Sequence, residues 1–309
     1  MSILTICIPT RNHCKDLKNL LDDIEVYADK VPIVICDNNS KDNTYNIVKN
    51  SKKKNKNIKY FYSKKNIGFD KNYLKCVEKT STPYFWCVGS DERLYKNSIN
   101  IINKILKKNP SGITFSDKNS HLNKNIKYKI NNKSLFKIEK HMHYLGNISL
   151  NVINKKKFLY CFKKFKKIKN YGYIQIFYLT SIFFHFKHWF FYNDSVCFIN
   201  KYSIERKSKK RFEVRLGNEI KSYISTIKKF YSYNQLLYHK IANLIFAKNI
   251  RPWIMDSVLN NGNKNTIKIL HKNNSYLSDI KNFNYLKILL KLFPQFIWDL
   301  IIPIKRKIF

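Results

Sequence analysis

The sequence predicts an α/β protein: a Rossmann-like, mostly parallel sheet flanked by helices, followed by a helical C-terminal region. Three observations carry this. Over residues 1–117 short apolar runs alternate with stretches of helical periodicity, the pattern of consecutive βα units. A polar, turn-forming segment follows each of the first four runs, at the carboxyl end of the strand, where open α/β sheets bind ligands. Beyond Lys201 the apolar spacing turns mostly helical, through Ile220 to Phe246 and again near Tyr276 to Phe293.

In chain order, strands are expected at Ile3–Ile8, Ile33–Cys36, Ile58–Tyr62, Tyr84–Val88 and Ile113–Phe115. The first helix is expected from about Lys15 to Tyr27, with Leu17, Leu20, Leu21 and Ile24 on its buried side. Asp42 or Asn43 caps the second helix, ahead of Tyr45, Ile47 and Val48. From Ser116 to about Lys140 the chain is polar and aperiodic, so loops and edge strands facing a substrate are expected there. A second apolar section opens at Gly146, with Ile148–Ile153, a lysine-rich helix and the aromatic block Tyr171–Phe191. The charged run Lys201–Arg211 marks the boundary with the helical region, giving domains 1–200 and 201–309.

Of the 309 residues, 44% are hydrophobic, enough for a large core, and 59 Lys+Arg stand against 20 Asp+Glu for a net charge of +39. Such a charge raises nucleic-acid binding as a reading. Yet 52 of the cations are Lys, a solvated point charge, and few are Arg, whose planar fork reads phosphate with fixed geometry. No zinc-knuckle spacing or aromatic RNP-type run accompanies them, so the charge reads as a solvated surface that attracts anionic lipid headgroups and phosphorylated substrates. The 7 cysteines include no C-x-x-C pair, and three lie in strand-like runs, as buried thiols of a reducing cytoplasm do. Met1 passes directly into Ile3–Ile6 without the pattern of a signal peptide, so a cytoplasmic location is expected.

Two apolar stretches approach the length of a transmembrane helix, and both are interrupted. Ile182–Phe191 contains His185, Lys187 and His188, while Phe283–Ile304 contains Lys287, Lys291, Pro294, Asp299 and Pro303. In the second, Leu286, Leu289, Leu290 and Phe293 recur at helical spacing ahead of the basic end Lys305–Lys307. Two readings fit it equally, a helix lying on an anionic membrane and a helix closing the core.

The four strand-end segments are Pro9-Thr10-Arg11-Asn12, Asp37-Asn38-Asn39-Ser40-Lys41-Asp42, Asn66-Ile67-Gly68-Phe69-Asp70-Lys71-Asn72 and Gly89-Ser90-Asp91-Glu92. Each also has a plain reading as a turn and helix start. A carboxylate such as Asp37 at the end of a strand accepts hydrogen bonds from a ribose hydroxyl or a nucleobase N–H, and without a G-x-G-x-x-G after strand one a dinucleotide fold is disfavoured. Gly68 is one of only 7 glycines, which points to a backbone position of positive φ or close ligand approach. Asp91 and Glu92, adjacent acids at the tip of a very apolar strand, call for positive charge. A Mg²⁺ or Mn²⁺ ion carrying phosphate oxygens supplies it; in the plain reading Arg93 does.

In this order and spacing, I-C-I-P-T-x-N, I-C-D-N-x-S-x-D-x-T, N-x-G-x-D-x-N and W-C-V-G-S-D-E-x-L resemble the family 2 glycosyltransferases of GT-A fold, in the abequosyltransferase-like branch. The likeness is good over about 95 residues and weaker through Gly146–Lys155 and Tyr171–Tyr178. It implies that 1–117 binds a nucleoside-diphosphate sugar and 118–200 faces the acceptor, a surface polysaccharide or lipid-linked glycan. Pro9, Thr10, Arg11, Asn12, Asp37, Asn39 and Asp42 then hold the nucleoside, and Asn66, Gly68, Asp70, Asn72 and Ser90 line the same pocket. The metal-binding D-x-D motif maps onto Gly89, Ser90 and Asp91, so its first acid is missing; Asp91 is the expected ligand, with Glu92 beside it. The implied reaction is metal-assisted displacement at the anomeric carbon, with inversion.

A general base is harder to find. Between Asp117 and Glu205 the only acids are Glu139 and Asp194, and Gln175 stands about where the family often places an Asp. Asp194, His143 and His185 are the candidates, with His141 and His188 behind them. A noncatalytic nucleotide-sugar-binding protein on a decayed fold and a lysine-rich RNA-binding protein are the alternative functions.

Overall fold

The first apolar run forms β1 (Leu4–Thr10), every residue of which is buried, and it sits inside a seven-stranded sheet. The computed structural model describes residues 2–27, 30–116, 144–164, 174–186, 188–192 and 195–198, with shorter stretches and single helical positions between 221 and 295. β2 (Ile33–Asp37) and β4 (Tyr84–Cys87) flank β1, and β3 (Ile58–Tyr62) forms the edge; all four run parallel. Strands covered on both faces read as continuous apolar runs, which is why β1, β2 and β4 are legible.

The crossovers are α1 (Cys14–Glu25), α2 (Thr44–Lys54) and α3 (Phe69–Lys79). α1 buries Leu17, Leu20, Leu21 and Ile24, the face its 3–4 spacing predicts. α4 (Ser98–Leu106) leads to β6 (Gly112–Phe115), while β7 (Asn151–Asn154) runs antiparallel between β4 and β6. The Ile148–Ile153 run is thus a 3-10 turn plus a strand, followed by the lysine-rich helix α5 (Lys155–Lys164). The aromatic block divides into α6 (Ile174–Phe186) and β8 (Trp189–Tyr192), the latter parallel to β6. A two-stranded sheet joins β5 (Arg93–Leu94) to β9 (Cys197–Phe198).

Gly112 makes the β6–β8 contact possible. It lies in register with Trp189, whose ring crosses the position a Cβ would take. The indole N–H donates to Thr114 Oγ1 at 2.8 Å, and that hydroxyl donates to Asn151 Oδ1 at 2.7 Å, stitching β8, β6 and β7 together.

The chain divides into two compact units, Met1–Ile168 with Tyr178–Ser203, and Lys169–Phe177 with Ile204–Phe309. In the second, Phe283, Leu286 and Leu290 are buried while Leu292 is 68% exposed. Leu286 and Leu290 of the apolar spacing are thus buried, as in a helix that closes a core, while Leu289 and Phe293 lie outside the described residues. No helix among the described residues is long and apolar enough to cross a membrane. The basic end, residues 305–307, lies outside the described residues, as does most of the polar segment 116–140.

Candidate active site

Parallel pairing aligns the carboxyl ends of β1 and β2, so Thr10 and Asp37 are cross-strand neighbours. Asp37 is 1% exposed. A carboxylate that deep costs several kcal/mol, on the order of 5, unless hydrogen bonds replace its water. Ser40 N–H donates to Oδ1 at 2.8 Å and the Tyr60 hydroxyl donates to Oδ2 at 2.6 Å. Burial first, then the bond to Asp37, pushes the Tyr60 hydroxyl far above its ordinary value, so it remains a donor at every physiological pH. Thr10 is buried beside it, and its Oγ1 has no hydrogen-bond partner among the described residues.

The loops after β1 and β2 clasp each other. Asn12 N–H donates to Ser40 Oγ at 2.9 Å, Lys41 N–H to Asn12 Oδ1 at 2.8 Å, and Cys14 N–H to Asp42 Oδ2 at 2.9 Å. The Thr44 N–H and hydroxyl both donate to Asp42 Oδ1, at 3.1 and 2.6 Å, so of the two expected caps Asn43 holds the N-cap position without a side-chain capping bond while Asp42 braces the first residue of α2. Burial raises the Asp42 pKa, but these bonds outweigh it and hold the carboxyl below its usual value. Asn12 and Asn39 have left-handed backbones, φ 56° and 63°, a conformation Asn tolerates.

Asn38 rivets this clasp to the next loop. Its Nδ2 donates to Asn66 Oδ1 at 2.8 Å and its Oδ1 accepts Ile67 N–H at 2.8 Å. Asn39 Nδ2 reaches the Tyr62 hydroxyl and the Lys64 carbonyl, at 2.9 and 2.8 Å. Gly68, at φ 81° and ψ 162°, occupies a region essentially closed to residues with a Cβ. Asn72 Nδ2 donates to the Cys36 carbonyl at 2.8 Å. Asn12, Asn39 and Asp42, expected to hold the nucleoside, and Asn66, expected to line its pocket, therefore each commit side-chain atoms to holding loops together, while Asn72 ties α3 to β2. Pro9 is buried in β1, Arg11 is exposed, and Asp70 lies in the first turn of α3.

The fourth segment follows β4 at the same edge of the sheet. Gly89 N–H donates to Ser149 Oγ at 2.9 Å, and Glu92 N–H closes the turn on the Gly89 carbonyl at 3.1 Å. Both acids approach the side-chain position that Gly89 leaves empty: Asp91 Oδ1 lies 3.0 Å and Glu92 Oε1 3.6 Å from where its Cβ would be. Glu92 is 4% exposed, Ser90 is buried, and Asp91 is partly open. Arg93 does not neutralise them through the pairing expected in the plain reading. Its guanidinium grips Asp23 with two bonds of 2.6 Å.

Among the described residues no three His, Cys, Asp or Glu side chains converge as a metal site. Two carboxylates at one turn still fit Mg²⁺ or Mn²⁺, which take one or two of them and complete the shell with water and phosphate oxygens.

His185 is misplaced for a base. Its ring stacks on Tyr160 of α5, 5.2 Å between centroids, and burial and then the charge of Lys164 lower its pKa. His188 precedes β8 and accepts Ser111 N–H on its carbonyl, at the amino-terminal edge of the sheet. Asp194, His143 and His141 lie outside the described residues. Sequence reasoning also passed over Tyr60, Asn38 and Ser149; only Asn38, inside a strand-end segment, carried any local signal.

Residues 5–169, more than half of the chain, match the family model described as Glycosyl transferase family 2. The chain belongs to that family. One curated relative of this family 2 chain is the abequosyltransferase RfbV of Salmonella typhimurium, 33% identical over 109 residues, covering 34% of this chain and 32% of the relative. The match therefore spans about a third of that relative's length. Among solved structures, S. aureus TarS 1–349 in complex with UDP-GlcNAc is similar at TM-score 0.65 and 12% identity, over 91% of this chain and 82% of that one. The mannosyltransferase PcManGT from Pyrobaculum calidifontis, in complex with GDP-Man and Mn²⁺, is similar at TM-score 0.59 and 11% identity, over 94% and 84%. The family 2 chain has the GT-A fold expected from its sequence.

Proposed function

We propose that this family 2 chain is an inverting glycosyltransferase that moves a sugar from a nucleoside-diphosphate donor to a surface polysaccharide or lipid-linked glycan. The observation that carries the reading is the shared edge: buried Asp37 and Thr10, the loop clasp, and the Asp91–Glu92 turn all follow the carboxyl ends of three adjacent strands. TarS binds UDP-GlcNAc and PcManGT binds GDP-Man with Mn²⁺ in their solved complexes, which favours a nucleotide-sugar donor here.

In this reading Asp37 orients the nucleoside, and Asp91 with Glu92 holds Mg²⁺ or Mn²⁺. The chemistry that Asp91 and Glu92 would bring with such an ion is Lewis-acid stabilisation of the charge on the departing diphosphate. The acceptor oxygen forms its bond to the anomeric carbon as the bond to the diphosphate breaks, and the hydroxyl proton passes to a general base, for which Asp194 and His143 are the candidates. The enzyme works in the cytoplasm, and its net charge of +39 draws it towards anionic membrane.

The test is a thermal-shift screen of nucleoside diphosphates, with and without Mn²⁺, on the full chain and on Asp91→Asn. One nucleotide is expected to raise the melting temperature only with metal; saturation at about 100 times Kd corresponds to roughly 2.7 kcal/mol. Asp91→Asn abolishes the shift. If no nucleotide shifts either protein, the donor site is wrongly placed. Binding without sugar transfer or donor hydrolysis across a donor panel instead supports the noncatalytic alternative, which the missing first acid of the D-x-D motif favours.

A further inference from the structure

At the opposite edge of the sheet, where β4 and β6 begin, lies a cavity of about 830 Å³, within the range of small-molecule sites. One wall is α5, whose Lys156, Tyr160 and Lys163 recur at i, i+4 and i+7 and so share a helix face. Lys155 and Lys157 complete the cationic lining, and none of the described lining residues is acidic. Lys155 is committed elsewhere, its Nζ donating to the main-chain carbonyls of Glu78 and Thr80 at the carboxyl end of α3. Lys157 is different. Its Nζ donates to the neutral Ser111 hydroxyl at 2.8 Å and lies 5.3 Å from the centre of the Phe186 ring, with no ion pair among the described residues. Burial alone lowers its pKa, the mark of an ammonium that has lost water without gaining an anion.

We propose that this cavity is a second anion site, remote from the donor edge, that takes a phosphate-bearing molecule through Lys156, Lys157 and Lys163. A dispersed lysine surface would spread its charge over solvent. Here three ammonium groups without carboxylate partners among the described residues border one concave space, and a phosphate-bearing molecule would supply the missing negative charge. The phosphate belongs either to a free phosphorylated molecule or to an anionic lipid headgroup, and the two sources separate by experiment.

The full chain is compared with Lys156→Glu/Lys163→Glu, two exposed positions, and with Lys52→Glu/Lys53→Glu, the same charge change on α2. Inorganic pyrophosphate is titrated calorimetrically in metal-free buffer, and sedimentation is measured with phosphatidylcholine vesicles with and without phosphatidylglycerol. A loss of pyrophosphate affinity of about tenfold or more in the cavity variant, absent from the α2 variant, supports a free phosphorylated ligand; tenfold corresponds to about 1.4 kcal/mol. The same contrast confined to phosphatidylglycerol vesicles supports a headgroup. If the cavity variant binds both probes as the wild type does, or both variants weaken equally, the site is no more than bulk charge and the proposal fails. The Mn²⁺-dependent nucleotide shift on the same preparations keeps this outcome separate from that of the donor-site reading.

Discussion

Asp37 is the residue on which the proposed donor edge turns, because its buried carboxylate is tolerable only while Ser40 and Tyr60 donate to it. Tyr60→Phe removes one of those donors at nearly constant volume. We expect a loss of about 1–3 kcal/mol in urea unfolding and a rise in donor KM that exceeds any fall in kcat. A Tyr60→Phe protein as stable as wild type, with unchanged KM, would show that Asp37 is neither held by Tyr60 nor in contact with the nucleoside. Asp37 was legible because an acid ending an apolar run is rare and positional. Tyr60 was not, since it lies 23 residues away and looks like any strand tyrosine. Ser149, 60 residues from the Gly89 amide it accepts, was likewise invisible.

At the scale of elements, the early strands and α1 followed from apolar runs and 3–4 spacing, and the unusual backbone of Gly68 from its rarity in the chain. The clasp between the first two loops did not. Two of its members, Asn12 and Asp42, suit turns and ligands equally well, and spacing cannot choose between the two roles. Asp42 provides the check. Its folded pKa lies below the unfolded one, so its contribution is fully present above the unfolded value of about 3.9 and is lost as pH falls through the folded value. Asp42→Asn should therefore be less stable than wild type near neutrality, by about 1 kcal/mol, the difference between hydrogen bonds to a charged and to a neutral acceptor, with the gap closing in acid. A gap that stays constant from neutral pH into acid would mean the carboxylate charge contributes nothing to the clasp.

For the whole molecule, the net charge of +39 acts through solvent and is screened by it. Binding to phosphatidylglycerol vesicles should fall steeply between about 0.1 and 1 M salt, as the Debye length shrinks from roughly 10 to 3 Å. Sedimentation that ignores salt would point to apolar insertion, which the burial of Leu286 and Leu290 argues against.

The sequence by itself determined the α/β class, the parallel strands, the buried face of α1 and the family, since strand runs, helical spacing and strand-end motifs are local patterns. The tertiary structure decided where β7 and β8 join the sheet, which side of α5 borders a cavity, that Arg93 turns to Asp23, and which asparagines hold loops. The reason is physical. These outcomes depend on hydrogen bonds and packing between residues tens of positions apart, and side-chain chemistry names a donor or a charge without naming its partner.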